Sequence, residues 1–307
     1  MAKPAYHYQM RKSLTIIILF ILWLPLEAHN RALLVGIGDY DRAATGWSTI
    51  HGNNDVALLD GKLAAKGFTV SKLVDTQATK AKIIKALDDI VSETGPGDMI
   101  YIHFSGHGQL IEDLNGDEPS RTDQSFVCYD ACRSPSYLVG KRSYRGENHL
   151  VDDELFPILN RLKKKVGDKG LLIVVFDSCY SGGADRGEMS DDTDTDAEVE
   201  WVDDTRGTDK EYRLDDASRK YMGRLKRPGN YGDGGDITII SACQSYKRNY
   251  ECRARGTGKQ YGSLSYCIAR MLDDGIPFAG WAEYFRNDRF RSLRIFRPIQ
   301  TPVVETY

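Results

Sequence analysis

The stretch that decides the fold is Leu171-Leu-Ile-Val-Val-Phe-Asp-Ser-Cys-Tyr-Ser-Gly-Gly183. Its first six residues are apolar and rich in Val and Ile, which is typical of a parallel strand that is buried on both faces. Asp177, Ser178 and Cys179 follow the apolar run. Because ligands bind at the carboxyl ends of strands in open α/β sheets, Cys179 is a candidate nucleophile. The alternative is a buried structural cysteine, which is the more common fate of a free thiol.

Strand-like and helix-like apolar patterns alternate around this stretch. Further strands are predicted at 31–37, 68–74, 98–104 and 236–242, and helices at 55–66, 79–92, 151–166, 262–272 and 277–290. This order predicts an α/β fold, in which helices on both sides form a sandwich around a mostly parallel central sheet. Residues 109–150 are polar and turn-rich and are expected to form a hairpin over the site. Pro298 and Pro302 restrict a last strand, at 295–305, to the edge of the sheet.

The composition is that of an ordinary globular protein. The chain has 307 residues and a formal net charge of −3, so no nucleic-acid partner is expected. Its six cysteines include no C-x-x-C pair, which argues against a structural zinc site. The protein is expected to be a monomer.

The N-terminus has the pattern of a targeting segment. Arg11 and Lys12 precede an apolar run of 13 positions, 14–26. A bilayer span needs about 20 apolar residues, so a signal peptide at 1–28 is favoured over a short uncleaved anchor. The protein is therefore expected to be secreted or periplasmic, with no stable membrane span, and its folded domain to occupy residues 29–307.

His107 and Cys179 are predicted to form a catalytic pair. Each follows a buried strand and has glycines beside it, and neighbouring parallel strands end at the same edge of a sheet. A histidine takes the proton of a thiol and later returns one to a leaving amine. The backbone N–H groups of Gly108 and Cys179 are candidates for an oxyanion hole. A histidine alone would more often be structural.

The segments His103-Phe-Ser-Gly-His-Gly108 and Asp177-Ser-Cys-Tyr-Ser-Gly-Gly183 resemble the histidine and cysteine motifs of metacaspases, in the clan of caspases and gingipains. The resemblance covers nearly all of the mature chain, through matches at 31–37, 53–55, 151–155 and 300–302. Two features depart from the family pattern. Tyr180 stands where many metacaspases have histidine, and a signal peptide replaces the Pro-rich extension of some members, which indicates an exported member.

The resemblance implies a cysteine endopeptidase that cleaves peptide and protein substrates after Arg or Lys, with Asp55, Ser105 and Asp177 binding this P1 residue. Carboxylates are suited to a guanidinium. Asp177 lies two residues before Cys179, so both side chains leave the strand on the same face. Asp55 has the alternative role of a helix N-cap. A caspase-like peptidase of other P1 specificity and a non-catalytic caspase-fold binding module are the alternative functions.

Calcium is the cofactor that the resemblance implies, as an activator that takes no part in the chemistry. The family's ligand positions match Asp123, Asp152, Asp153 and Asp185, and Ca²⁺ takes six to eight oxygen ligands. The alternative is that Asp152 and Asp153 only favour the start of a helix. Asp113-Leu-Asn-Gly-Asp117 has some likeness to a calcium loop, but it lacks the closing glutamate of an EF-hand and is discounted.

An acidic insertion is predicted at 184–230, between parts that resemble the large and small subunits of caspases. Residues 185–216 hold fourteen Asp or Glu and four Lys or Arg, which is typical of a flexible segment. Related enzymes are often cut there, so self-processing is expected after one of its basic residues. The candidates are Arg206, Lys210, Arg213, Arg219, Lys220 and Arg224. The alternative is an inert solvated loop.

Overall fold

A computed structural model describes residues 28–117, 122–133, 144–179, 198–206, 236–244 and 247–307. The predicted signal peptide therefore lies outside the described residues, except for Ala28. Within these ranges, no helix combines the length and the hydropathy that crossing a bilayer requires.

The strands and helices follow one another in the predicted alternation. The strands are β1 (Asn30–Gly36), β2 (Phe68–Val74), β3 (Met99–Ser105), β4 (Gly108–Glu112), β5 (Thr122–Val127), β6 (His149–Val151), β7 (Leu171–Asp177), β8 (Val199–Thr205), β9 (Ile237–Ser241), β10 (Tyr250–Ala254), β11 (Gln260–Gly262) and β12 (Val303–Thr306). The helices are α1 (Arg42–Thr45), α2 (Gly52–Ala65), α3 (Lys80–Glu93), α4 (Asp152–Val166), α5 (Ser263–Asp273) and α6 (Trp281–Arg286).

The central sheet has the strand order β12-β9-β7-β3-β1-β2. Strands β1, β2, β3, β7 and β9 are parallel to one another, and β12 pairs antiparallel with β9 at the edge. The predicted α/β fold with a mostly parallel sheet is therefore confirmed. Strand β7 lies between β3 and β9, which explains why its sequence is a continuous apolar run.

Side chains of β7 alternate between two hydrophobic cores. Leu172 and Val174 belong to the core beneath α3 and α4, whereas Ile173 and Val175 belong to the core beneath α2 and α5. The alternation follows from the two-residue period of a strand. Helices on both faces thus leave only the strand ends open, and this places any site at the carboxyl edge.

Two small antiparallel sheets lie beside the central one. Strands β4, β5 and β6 form the first, which is the excursion predicted for residues 109–150. Strands β8, β10 and β11 form the second, with β10 in the middle. The short strands β10 and β11 were not predicted.

The region 198–206 differs from the prediction of a flexible insertion. Residues 199–205 form β8, which pairs with β10, and Arg206 is fully buried. Pairing with β10 provides hydrogen-bond partners for the backbone of β8. The acidic composition of the segment does not indicate this pairing. The insertion's other residues, 184–197 and 207–230, lie outside the described part of the chain.

The predicted helix at 277–290 is interrupted. It consists of a 3₁₀ turn at Phe278–Gly280, helix α6 and a second 3₁₀ segment at Arg289–Leu293. Asp288 has a φ of 54°, in the left-handed region, and a right-handed helix does not continue through such a residue. The edge strand predicted at 295–305 is likewise shorter, because β12 begins only after Pro302.

Helix α2 begins in close contact with the central sheet. A Cβ atom on Gly52 would lie 2.5 Å from the carbonyl oxygen of Ser105 and 2.6 Å from that of Ile37. Both oxygens belong to backbone that the sheet holds in place, so neither gives way easily. The glycine therefore allows the first turn of α2 to approach the ends of β1 and β3.

We expect Gly52→Ala to lower the free energy of unfolding by about 1–3 kcal/mol, because the added methyl overpacks this contact. Gly61→Ala is the matched control in the same helix, since nothing lies within 4 Å of a Cβ there. Alanine at that position should stabilise the protein by up to about 1 kcal/mol. Urea unfolding of both variants checks the opposite signs, and equal midpoints would contradict the close approach.

Candidate active site

The two predicted catalytic residues lie at equivalent places on neighbouring strands. Ser105 at the end of β3 is paired with Asp177 at the end of β7. His107 and Cys179 each follow two residues later. The register of the sheet therefore brings the two motifs to the same edge, as predicted.

The imidazole of His107 is buried and held on three sides. It stacks on the Trp47 ring at a centroid distance of 5.0 Å, and its Nε2–H donates to the Ser48 carbonyl at 2.8 Å. The His107 backbone N–H donates to the Tyr40 hydroxyl at 3.1 Å. Among the described residues, Nδ1 has no hydrogen-bond partner. Because Ser48 takes the Nε2–H, Nδ1 is the nitrogen with an available lone pair.

The environment keeps His107 neutral at physiological pH. Burial lowers the pKa of His107 to about 4, although the hydrogen bond to the Ser48 carbonyl acts in the opposite direction. A neutral imidazole accepts a proton, which is what a general base requires.

Cys179 is accompanied by a second thiol. The Cys179 Sγ lies 2.9 Å from the Lys247 carbonyl oxygen, and the Cys243 Sγ lies 3.1 Å from the same oxygen. A hydrogen bond with Cys179, together with burial, raises the pKa of Cys243 well above its usual value. All six cysteines of the chain are buried, and these described residues form no disulfide with one another.

Two backbone N–H groups converge on one carbonyl oxygen, that of Arg206. The distance is 3.0 Å from the Cys179 nitrogen and 3.4 Å from the Gly108 nitrogen. These are the two donors that the sequence proposed for an oxyanion hole. A carbonyl of the chain itself therefore occupies the position in which a scissile carbonyl is expected.

The guanidinium of Arg206 occupies a buried acidic pocket beside this carbonyl. Its Nη2 lies 2.8 Å from the Asp55 Oδ2, and its Nη1 donates to the Ser105 hydroxyl at 2.5 Å. Its Nε and Nη2 both donate to the Glu251 Oε1, at 3.0 and 2.8 Å. The structure thus brings the predicted residues Asp55, Ser105 and Asp177 together around an arginine.

Asp177 lines this pocket in a different way than expected. Its Oδ2 accepts from the N–H and the hydroxyl of Ser265, at 2.7 and 2.6 Å, and its Oδ1 accepts from Asn249 at 2.7 Å. The nearest Arg206 nitrogen is 3.7 Å from this carboxylate, but 3.1 Å from the Asp177 carbonyl. Asp177 therefore contributes its charge and its backbone oxygen, and not a bidentate contact.

Asp55 lies inside α2, and the helix N-cap is His51, so the N-cap alternative for Asp55 is wrong. The Asp55 carboxylate accepts from the Gly262 N–H at 3.0 Å and from the Ser105 hydroxyl at 2.5 Å. Burial raises the pKa of Asp55 to about 6, with the charges of Asp177 and Glu251 adding to the effect and Arg206 opposing it.

The sequence did not identify Glu251 as a pocket residue. It lies on β10, which was not predicted, between the buried residues Tyr250 and Cys252. Alternation along this strand would assign Glu251 to a solvent-facing position. No local sequence pattern therefore identifies Glu251 as a pocket residue. Only its tertiary contacts with Arg206 and His51 do so.

A second acidic cluster lies on the β4–β5 hairpin. One carboxylate oxygen each of Asp113, Asp117 and Asp123 lie within 4.8 Å of one another. The Asn115 side-chain amide donates to the Asp153 carboxylate. The 113–117 turn, which was discounted from its sequence, thus contacts or lies beside two of the predicted calcium ligands, Asp123 and Asp153.

The remaining predicted calcium ligands are Asp152, Asp153 and Asp185. Asp152 is buried at the first position of α4 and Asp153 follows it, so both have the helix-start placement of the alternative explanation. Asp185 lies outside the described residues. Carboxylate and amide oxygens are the donor types that Ca²⁺ prefers, so the set of residues present fits that ion chemically.

Comparisons with known proteins identify the same family as the motifs. Residues 29–287 match the family described as Caspase domain. Metacaspase-1B of Aspergillus terreus is 33% identical over 161 residues, which are 52% of this chain and 34% of that protein. Metacaspase-1B of Aspergillus fumigatus is 38% identical over 107 residues, or 34% of this chain and 22% of that protein. The matched region is thus about a third or less of these relatives' length.

A solved structure shares the overall architecture. The protein GSU0716 from Geobacter sulfurreducens superposes with a TM-score of 0.56 at 20% identity, over 91% of this chain and 93% of that one. At this identity the match shows the fold alone. The family match, in contrast, extends over most of the sequence and includes both motifs. Within that family it is similar to curated metacaspases, and the chain therefore belongs to the caspase-domain family of cysteine peptidases.

Proposed function

We propose that this protein is a thiol endopeptidase that hydrolyses peptide bonds after Arg or Lys. One observation carries the proposal, which is the substrate-like arrangement of Arg206. Its guanidinium lies among acidic groups while its carbonyl oxygen accepts from Cys179 and Gly108. A peptide with a cationic P1 side chain would present its scissile carbonyl in the same way.

In the proposed reaction the Cys179 sulfur attacks the scissile carbonyl carbon, and His107 Nδ1 takes the thiol proton. The Cys179 and Gly108 N–H groups stabilise the negative oxygen of the tetrahedral intermediate. The C–N bond then breaks, and His107 returns the proton to the leaving amine. Water, deprotonated by His107, hydrolyses the thioester and restores the thiol. Ser48 and Trp47 keep the imidazole in the required orientation.

The pocket favours a cationic P1 residue on electrostatic grounds. Three carboxylates surround it, and buried charge is costly unless it is paired. An aspartate at P1 would add a fourth negative charge. The charge of the pocket thus favours Arg and Lys over the alternative of another P1 specificity, and the presence of both His107 and Cys179 disfavours a module that only binds partners.

Purified 29–307 should hydrolyse peptides with Arg or Lys at P1 and leave the matched Asp peptide intact. Cys179→Ala and His107→Ala should each lower kcat by about a hundredfold or more, since each removes a group that takes part in bond making or proton transfer. Cys132→Ala is the control for the loss of a buried thiol, one whose sulfur contacts the Ala44 carbonyl oxygen. A preference for Asp would sink the pocket assignment, and an active Cys179→Ala protein would sink the mechanism.

We also propose that the enzyme cuts its own chain between Arg206 and Gly207. The Arg206 N–H donates to the Asn249 carbonyl at 3.1 Å, and the preceding strand β8 pairs antiparallel with β10. Extended peptides are commonly recognised as an added strand of this kind. Until the bond is cut, Arg206 would also keep other substrates out of the pocket.

Self-processing should yield two fragments, with a new N-terminus at Gly207. Cys179→Ala should remain a single band because it lacks the nucleophile. Arg206→Gln should not be cut at this bond, whereas the control Arg213→Gln should be cut as in the wild type. Gel electrophoresis and N-terminal sequencing check these outcomes. Wild-type processing of Arg206→Gln would move the cut to another basic residue of the insertion.

We further propose that calcium activates the enzyme, held by Asp123, Asp152, Asp153 and Asp185 with help from the 113–117 turn. Ca²⁺ would supply positive charge that brings mutually repelling carboxylates together. This would order the β4–β5 hairpin, whose first residue is Gly108. The support is the chemistry of the gathered oxygens and the family resemblance.

Hydrolysis of an Arg peptide should fall when a chelator is added and recover with Ca²⁺ in excess. Asp123→Asn should weaken this response, because it removes a charge from the cluster, and the exposed Asp39→Asn serves as control. The Tm should rise with Ca²⁺ concentration in the wild type and in Asp39→Asn, and less in Asp123→Asn, since a ligand of the folded state stabilises it. Equal rates and an unchanged Tm with chelator would remove the calcium proposal.

We propose lastly that residues 1–28 direct export and are removed, and that the enzyme acts as a monomer. The support is the basic N-terminus followed by a short apolar run. N-terminal sequencing of the product exported from cells that express the full 1–307 chain reads the start of the mature protein, which should be His29. Light scattering gives the mass in solution, and a dimer mass would contradict the monomer.

A further inference from the structure

We infer that Glu251, positioned by His51, makes the pocket selective for arginine over lysine. The inference rests on the proposed function, which by itself does not distinguish the two cations. It concerns two residues that no sequence motif marked. The acidic residues of the pocket contact different nitrogen atoms of the guanidinium.

Glu251 is fully buried and uses both carboxylate oxygens. Its Oε1 accepts from the Arg206 Nε at 3.0 Å, from the Arg206 Nη2 at 2.8 Å and from the His51 backbone N–H at 2.8 Å. Its Oε2 accepts from the His51 Nδ1–H at 2.5 Å. One oxygen therefore receives one edge of the guanidinium, and His51 fixes the orientation of the whole carboxylate.

Asp55 and Glu251 contact different parts of the cation. Asp55 reaches Nη2, at the end of the side chain, whereas Glu251 spans the edge formed by Nε and Nη2. Lysine ends in a single nitrogen, so it has no pair of donors along such an edge. The general negative charge of the pocket attracts both cations, but the contact with Glu251 is complete only with arginine.

His51 has a positioning role. It is the residue before α2, and its side chain is 32% exposed at the rim of the pocket, while Glu251 is inaccessible. Burial alone would raise the pKa of Glu251, but Arg206 and His51 together lower it to about 2. The carboxylate is thus ionised, and His51 keeps it directed at the place where Nε lies.

The first test compares kcat/KM for two peptides that differ only in Arg or Lys at P1. In the self-processed enzyme, Glu251→Gln should lower the Arg-to-Lys ratio about tenfold or more, because it removes the charge that faces Nε. His51→Ala should lower the ratio in the same direction by less. The exposed Glu283→Gln is the control and should leave it unchanged. An equal loss on both peptides would overturn the inference, since a purely structural role predicts that result.

The second test does not depend on turnover. In the uncleavable Cys179→Ala chain, Arg206→Lys and Glu251→Gln form a double-mutant cycle, read by urea unfolding. Arg206→Lys should lower the urea midpoint clearly when Glu251 is present and much less when Glu251→Gln is present. Strictly additive shifts would overturn the inference.

The two tests distinguish a failure of the proposed function from a failure of the inference about Glu251. If the wild-type enzyme hydrolyses neither peptide, the proposed function fails, and the cycle alone decides whether Glu251 distinguishes the cations. If Glu251→Gln does not fold, Glu251→Asp replaces it in both tests, because it keeps the charge but shortens the reach to Nε. An unchanged ratio and additive shifts with that variant would likewise overturn the inference.

Discussion

The burial of one guanidinium among three carboxylates is the interaction on which the site depends. Arg206, Asp55, Asp177 and Glu251 come from four separate segments, and all are inaccessible to solvent. Breaking a buried ion pair leaves an uncompensated charge and costs about 3–5 kcal/mol. The ion pairs of Arg206 with Asp55 and Glu251 therefore hold β8 and β10 at the edge of the central sheet. For the same reason, Arg206 cannot leave the pocket unless a carboxylate is protonated or another cation takes its place.

The same constraint connects recognition with the proposed chemistry. The depth at which the guanidinium is held fixes where the carbonyl of the same residue lies, which is against the N–H groups of Cys179 and Gly108. Such positioning supplies much of what catalysis requires, since reacting groups then need little further ordering. The imidazole is held separately by Trp47 and Ser48, so different contacts position the two halves of the site.

Much of the fold was predictable because burial leaves a periodic record in the sequence. A strand covered on both faces must be apolar throughout, and β7 shows this in six successive residues. His107 and Cys179 were identifiable because each ends such a strand between small residues. In contrast, β8 was predicted as flexible, because its acidic side chains dominate the composition, and β10 lacks the apolar run that marks β9.

The sequence by itself determined the parallel sheet, the edge at which a site forms and the placement of His107 and Cys179 at that edge. These follow from local patterns and from the rule that parallel strands end together. Only the tertiary structure decided that Arg206 fills the pocket and that Glu251 closes it. Arg206 and Glu251 are polar residues in acidic or irregular sequence, and their burial depends on partners 29 to 200 positions away along the chain. Burial is favourable because the opposite charges neutralise one another. No local sequence pattern indicates this pairing.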